Sequence, residues 1–404
     1  MSSSYNRRAR AGSLQPPAAQ ASTSRRAHRR TDPDETSELP TQLFSDDHLP
    51  LSFGAEFEMI IRPRADFLQR YSLVLPPFDS SERAFRDFNF SLLRSISNLI
   101  TMTLFPCVVY DQNEGPKPNY KMEWHVTLDG SLSKKHRRDG FYPVEIVSSI
   151  IRGDASWAMV IDKFWAMLNT SFEFRRDMSC GFHIHISPAT ESYSLAQLRQ
   201  MAKAVAFWEP MTARCAPPSR QDDVLGMFKS NVSNALSLAV DLSTVGGFAY
   251  VCRQIDSLAR DEVCEYLCPD KHNSWNFRNA KEGGFGSIEF RRPPGVVDAK
   301  KAKHWIAFTM AFVEMAVQFN PAHFLHQPLP ADEDEAVESS CLHREEKAFD
   351  HCLLACAKKL GVYAQLDPRL RQPDNTHSLH ITSLSKEAME WLKQHGDYQW
   401  SINS

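Results

Sequence analysis

Three short segments of this chain repeat one geometry. Glu56 and Glu58 flank Phe57, His183 and His185 flank Ile184, and Glu289 and Arg291 flank Phe290. In an extended strand, residues two apart project from the same face. Each segment therefore aims two polar groups at one side of a sheet and an apolar group at the other. Glu145, within Pro143-Val144-Glu145-Ile146-Val147, extends the pattern to a fourth segment. A solvated strand face more often carries Lys, Thr, Ser or Gln; here it carries metal-ligand types. One ExE or HxH alone reads as an ordinary exposed face. Several in one chain argue for a sheet with one hydrophobic face and one face of carboxylates and imidazoles.

Neighbouring carboxylates such as Glu56 and Glu58 repel unless a cation or an arginine neutralises them. Carboxylates with one or two imidazoles suit Mg2+ or Mn2+, whereas a zinc site recruits more His or Cys. Arg278, Arg291 and Arg292 add fixed positive charge whose fork matches phosphate or carboxylate. Carboxylates, divalent cations and arginines together are what phosphoryl transfer requires. There is no GxxxxGK[ST] loop, and Gly283-Gly284-Phe285-Gly286 is not a dinucleotide fingerprint. No GxSxG elbow occurs. Cys180-Gly181 reads better as a strand start needing a small backbone than as a nucleophile.

The remaining sequence sets the frame. A chain of 404 residues with 42% hydrophobic and 24% charged residues has ample material for a buried core. Residues 1–47 lack a hydrophobic period and read as a disordered tail. Residues 1–31 hold seven Arg, no Lys and no acid, so the remainder carries 39 basic against 49 acidic residues. Such an acidic body argues against a broad phosphate-backbone binder, so no nucleic-acid partner is expected. The longest apolar stretch, Trp305–Phe319, is short of a bilayer span and contains Glu314, so no membrane helix is expected. Nine scattered cysteines without a CxxC, and no secretory h-region, point to free thiols in a reducing compartment. The default is cytoplasmic. Arg25–Arg30 has the character of a nuclear localisation patch, and the Arg/Ser-rich start weakly that of a mitochondrial transit peptide.

Period and punctuation predict strands over Ser52–Ile61, Met122–Thr127, Pro143–Val147, Cys180–Ser187, Asn276–Arg278 and Ser287–Arg291. Helices are predicted over Phe85–Phe105 and Trp157–Leu168. Another runs from the Ser194/Gln197 capping box through Phe207 to a halt near Pro210, a fourth from the Asp298 cap to Phe319, and a last over His343–Leu360. One more apolar-patterned stretch lies near Trp391. Strands sometimes adjacent and sometimes separated by helices favour an α+β fold with a largely antiparallel sheet. The expected organisation is a basic tail (1–47), a catalytic domain (48–325), and an acidic loop with a C-terminal helical extension (326–404).

Five segments follow one another in a recognisable order: Phe53-Gly54-Ala55-Glu56-Phe57-Glu58, Asp129-Gly130-Ser131-Leu132, Val144-Glu145-Ile146-Val147-Ser148, Cys180-Gly181-Phe182-His183-Ile184-His185 and Ser287-Ile288-Glu289-Phe290-Arg291. Over residues 50–320 the chain resembles the amidoligase family, which is similar in its catalytic domain to glutamine synthetase and glutamate–cysteine ligase. The resemblance implies a glutamine-synthetase-like fold: a curved sheet with a metal and ATP site on one face and helices on the other. It implies an ATP-dependent carboxylate–amine ligase working through an acyl phosphate, with Mg2+ or Mn2+. Position by position, Glu56, Glu58, Glu145, His183 and Glu289 would be metal ligands. His185 would sit beside the phosphates or substrate, and Arg291 would hold the γ-phosphate or acyl phosphate. Asn276 and Arg278 would contact the nucleotide phosphates or the carboxylate substrate, and Asp129 and Ser131 the substrate. Expected partners are small-molecule or peptide carboxylates and amines, and no residue sets an oligomeric state. Two other classes remain open: a metal-dependent hydrolase on the HxH strand, and a non-catalytic interaction protein on the same scaffold.

Overall fold

The computed structural model describes residues 48–371, apart from 78, 112–117, 222–225, 233–239 and 323–345. The Arg-rich start, Cys341 and the stretch near Trp391 lie outside the described residues.

Strand β1 (Leu51–Pro63) is the axis of the molecule. It is longer than its pattern predicts, and its two edges pair with four other strands. On one side lie β4 (Tyr142–Val147) and, nearer its start, β5 (Ile151–Arg152). On the other lie β7 (Phe182–Pro188) and, at its far end, β6 (Phe172–Arg175). The sheet extends outward through β3 (Trp124–Thr127) and β2 (Cys107–Val109) at one edge, and through β9 (Ile288–Phe290) and β8 (Trp275–Asn276) at the other. The path is β2-β3-β4-β1-β7-β9-β8, antiparallel throughout except for β2 beside β3. The fold is α+β with a largely antiparallel open sheet, as expected.

The helices stand on the apolar face. On β1 that face is Phe53, Ala55, Phe57, Met59 and Ile61, all buried. Helix α1 (Ala65–Arg70) follows β1, and α2 (Glu82–Thr103) packs Phe88 on Tyr142 of β4, with ring centroids 4.7 Å apart. Helix α3 (Trp157–Ser171) brings Phe164 within 4.8 Å of Phe57, which also lies 4.9 Å from Phe182. Helix α4 (Leu195–Arg214) is followed by α5 (Val245–Ser257) and α6 (Arg260–Leu267), which pack against it. Helix α7 (Ala299–Val317) lies under the other end of the sheet, where Phe312 stacks on Trp275 at 4.4 Å and Trp275 on Phe290 at 4.2 Å. Helix α8 (Glu346–Lys359) packs on α7, and α9 (Pro368–Arg371) ends the described chain. Glu314, fully buried on α7, is paired with Lys359 of α8 at 2.8 Å. Among the described residues no helix is long and apolar enough to cross a membrane.

The caps are those the sequence signals. The Ser194 hydroxyl accepts from the Gln197 N–H while the Gln197 side chain accepts from the Ser194 N–H. Asp298 caps α7 by accepting from Lys301 N–H. One expectation fails: α4 runs through Pro210 to Arg214 instead of stopping. Proline removes one donor from the ladder, and the last turn is held by burial, by a local bond and by the Arg214–Asp350 ion pair at 3.9 Å. Thr212 is fully buried and its hydroxyl donates to the Glu209 carbonyl. Arg278 also leaves its predicted strand for a 3-10 turn after Phe277. All eight described cysteines are free and Cys215 alone among them is not fully buried. Cys180 is buried beside Glu58 and Asp177, which drives its thiol pKa far upward, the opposite of an activated nucleophile.

Phe57 touches both strand and helix layers of the core. Phe57→Ala is expected to destabilise by about 3–5 kcal/mol, the usual cost of an aromatic-sized cavity. Met159→Ala, on the exposed side of α3, should stay within about 0.5 kcal/mol. Urea denaturation of both variants measures the difference.

Candidate active site

The face opposite the helices collects the polar alternates of several strands. Glu56 lies across from His183, and Glu58 across from Glu145. His185 lies across from Glu289, which in turn faces Asn276. Opposed residues of antiparallel strands share a face with Cβ atoms about 5 Å apart, so the separate sequence pairs merge into one patch. A small apolar cluster of Ile60, Leu132, Phe141 and Cys180 closes one end of it.

The contacts are close. The Glu56 carboxylate meets His183 Nδ1 at 3.1 Å and His185 Nε2 at 2.9 Å. Glu289 Oε1 lies 3.6 Å from His183 Nδ1 and 3.9 Å from His185 Nε2, and also bonds Arg291. Its second oxygen accepts from Asn276 Nδ2 at 2.7 Å. Glu58 sits 3.7 Å from His183 Nε2 and accepts the Gly181 N–H. One ligand atom each from Glu56, His185 and Glu289 can be chosen so that all three lie within 4.8 Å of one another. Gly181 has no room for a side chain: a Cβ there would lie 2.7 Å from His183 Nε2 and 2.9 Å from Glu58 Oε2.

Burial and crowding divide the carboxyls. Burial disfavours the charge on Glu56, but His185 and His183 outweigh it and hold the carboxyl well below its usual range. Burial raises Glu58 despite His183. Glu145 is pushed well above its ordinary value, by burial first and then by the charges of Glu56, Glu58, Asp129 and Glu289. Partial burial works against the His185 charge, yet Glu56 and Glu289 raise it to about 9. Burial likewise works against the Arg291 charge, and Glu289, Glu56 and Glu58 more than restore it. Four carboxylates share one face with His183, His185 and the Arg291 guanidinium. Hard oxygen donors with a minority of nitrogen match Mg2+ or Mn2+ better than zinc. A divalent cation would offset both the burial and the carboxylate repulsion that push Glu145 upward, so the donor set fits such an ion.

Other expected residues fall at varying distance. Asn276 belongs to the cluster, and its Oδ1 accepts the Arg278 N–H at 3.0 Å. The exposed Arg278 guanidinium instead donates to the Pro269 carbonyl. Asp129 and Ser131 form a local turn, with the Ser131 N–H and hydroxyl both donating to the Asp129 carboxylate at 2.7 Å. The Asp129 charge still reaches Glu58 and Glu145. Arg292 does not serve the polar face. It is buried and paired with Glu209 at 3.1 Å, because alternation turns it away from the side Arg291 occupies.

His125 was not among the expected site residues. It lies across from Val147, which is two residues from Glu145, so it shares their face. Burial lowers it to about 4 against the pull of Glu56, keeping the ring neutral, and its Nδ1 has no hydrogen-bond partner among the described residues. Tyr120 and Tyr110 meet its ring edge-on at 5.4 and 5.6 Å. The signal was present: His125 and Thr127 are another i,i+2 polar pair. Asn279 and Ser287, each 3.5 Å from His185 Nδ1, complete the surroundings without a comparable pattern.

Residues 49–313 match the family model described as "Putative amidoligase enzyme". No curated protein matches the chain. Among solved structures it is similar to one described as "GmaS/ADP complex-Conformation 1", with TM-score 0.35 and 14% identity over 79% of this chain and 67% of that one. It is also similar to "Apo GmaS without ligand", with TM-score 0.33 and 13% identity over the same shares of the two chains.

Glu145 carries a pH signature. Its folded pKa is raised above the ordinary 4.5, so the unfolded chain ionises first and the folded state loses relative stability as pH rises above that value. Each pH unit over which only the folded state keeps the proton costs about 1.4 kcal/mol. Without divalent cation, Glu145→Gln should match the parent near pH 4.5 and exceed its urea midpoint by a margin that grows as pH rises above that value. A margin independent of pH would show that the Glu145 carboxyl is not raised in the folded state.

Proposed function

The chain belongs to the amidoligase family, and from that premise we propose that it is an ATP-dependent carboxylate–amine ligase forming an amide bond. One observation carries the reading: Glu56, Glu58, Glu145, His183 and Glu289 converge on one sheet face with His185, Asn276 and Arg291 beside them. Paired carboxylates at such density need compensating cations, and an adjoining arginine and imidazole suit an anionic reactant.

Glu56, Glu58, Glu145, His183 and Glu289 would hold Mg2+ or Mn2+. Bound there, the cations would neutralise phosphate oxygens of ATP. His185 is charged below about pH 9 and would hold the phosphates or the developing acyl phosphate. Arg291 keeps its charge in a buried setting and would stabilise the transferring phosphoryl group. Asn276 fixes Glu289 and the Arg278 backbone, and Arg278 at the rim would meet the nucleotide or the carboxylate substrate. Asp129 and Ser131 would border the amine or the substrate. In the reaction a carboxylate oxygen bonds to the γ-phosphorus and ADP leaves. The amine nitrogen then bonds to the acyl carbon, phosphate leaves, and the nitrogen gives up a proton. The substrates are small-molecule or peptide carboxylates and amines.

Hydroxylamine reports the acyl phosphate without knowledge of the natural amine. Incubation with ATP, Mg2+, pooled carboxylic acids and hydroxylamine should yield a hydroxamate with equal ADP and phosphate. Glu289→Ala should lower the rate at least about a hundredfold with its circular dichroism unchanged. Failure to bind either nucleotide or divalent metal would refute the ligase. A single tightly held zinc without ATP turnover would favour the hydrolase instead.

A further inference from the structure

A cavity of about 250 Å3 lies apart from the carboxylate cluster. None of Glu56, Glu58, Glu145, His183, His185 or Glu289 lines it. Its floor is apolar, with Trp305, Val296 and Leu370 buried and Pro217 and Pro294 alongside. Its charged lining is Arg176, Lys301 and Arg369 against Asp367. Asp367 is engaged by the Arg369 fork, with Nε to Oδ1 and an Nη to Oδ2 both at 3.1 Å. Lys301 forms no ion pair with any described carboxylate. Its ammonium is destabilised by burial and then by the Arg176 charge, with Arg369 adding to the effect against the weaker pull of Asp298 and Asp367.

One turn along the same helix face stands His304. Its Nδ1 accepts the Asp367 N–H at 3.0 Å, and burial holds the ring at about 4, hence neutral near pH 7. A neutral imidazole that accepts at Nδ1 carries its proton on Nε2. Lys301, His304 and Trp305 have the i, i+3, i+4 spacing that gathers side chains on one helix face. They present to one cavity an ammonium, a ring N–H donor and an aromatic wall.

We propose that this cavity is a binding site for an organic carboxylate with an apolar body, its anionic head held by Lys301 and His304 with Arg176 at the mouth and its body against Trp305. The Lys301 ammonium, which no described carboxylate pairs, and the His304 ring N–H beside it select an anion, and the apolar floor selects against a bare inorganic one. The inference is independent of the ligase reading, because it shares no residue with the carboxylate cluster.

Phenylacetate tests it on the full chain, with phenylacetamide as the neutral isostere, by isothermal titration calorimetry. Phenylacetate should bind saturably and at least about tenfold more tightly than the amide. Lys301→Gln, at a half-exposed position that should not disturb folding, should weaken phenylacetate by about tenfold, and Glu289→Gln should change it by less than about twofold. No saturable binding, equal affinity for the amide, or binding lost in Glu289→Gln but kept in Lys301→Gln would each overturn the assignment.

Discussion

Everything in this structure depends on the two-sidedness of β1. Its odd-numbered residues Phe53, Phe57 and Met59 enter the core, and its even-numbered residues Glu56 and Glu58 stand on the opposite face. The apolar side fixes the strand through Phe57 and its aromatic neighbours on α3 and β7. That anchoring lets the other side hold groups that repel one another. Two like charges 4 Å apart cost about 4 kcal/mol at the effective dielectric of a protein surface. The cost appears in the divided carboxyls: Glu56 ionised against two imidazoles, Glu145 driven toward its proton.

The edge of the cluster is held from behind by a second polar network. Glu209, buried on α4, accepts from Arg292, from the Ser230 hydroxyl and from the N–H groups of Asn231 and Val232. Arg292 donates further to Ser274 and to the carbonyls of Arg220 and Gln221. Because Arg291 and Arg292 are adjacent on extended backbone, fixing one inward aims the other outward at Glu289. Just beyond, the Phe182 N–H donates to the Pro293 carbonyl and the Gly295 N–H to the Cys180 carbonyl. The same segment then places the Gly181 N–H on Glu58. A buried, fully bonded support of this kind is what holds reacting groups in place.

Much of this was legible in the residues, for a physical reason. Period-two alternation of strong ligands with aromatics encodes both the strand and the face, so Glu56, Glu58, Glu145, His183, His185 and Glu289 could be assigned to one side before any pairing was known. Capping chemistry marked the starts of α4 and α7 because a side-chain oxygen near a helix start has few competing partners. Three things were not legible. The short strands β2, β5 and β6 owe their existence to pairing with longer ones and carry too few residues for a period. Pro210 sits inside α4, where burial of Thr212 and the Arg214–Asp350 ion pair hold the turn beyond it. The opposite fates of Arg291 and Arg292 depend on Glu209, some eighty residues away. His125 obeys the same rule, since a His-x-Thr strand alternates as a His-x-His strand does.

The central claim is that the crowded face is built to be completed by divalent cations. Titration of the metal-free protein with Mn2+, followed by electron paramagnetic resonance of the free ion, tests it most directly. The account predicts saturable binding that strengthens with pH as protons leave Glu145 and His185, and that weakens at least about tenfold in Glu289→Gln. Absence of saturable Mn2+ binding, or binding indifferent to both pH and Glu289, would contradict it.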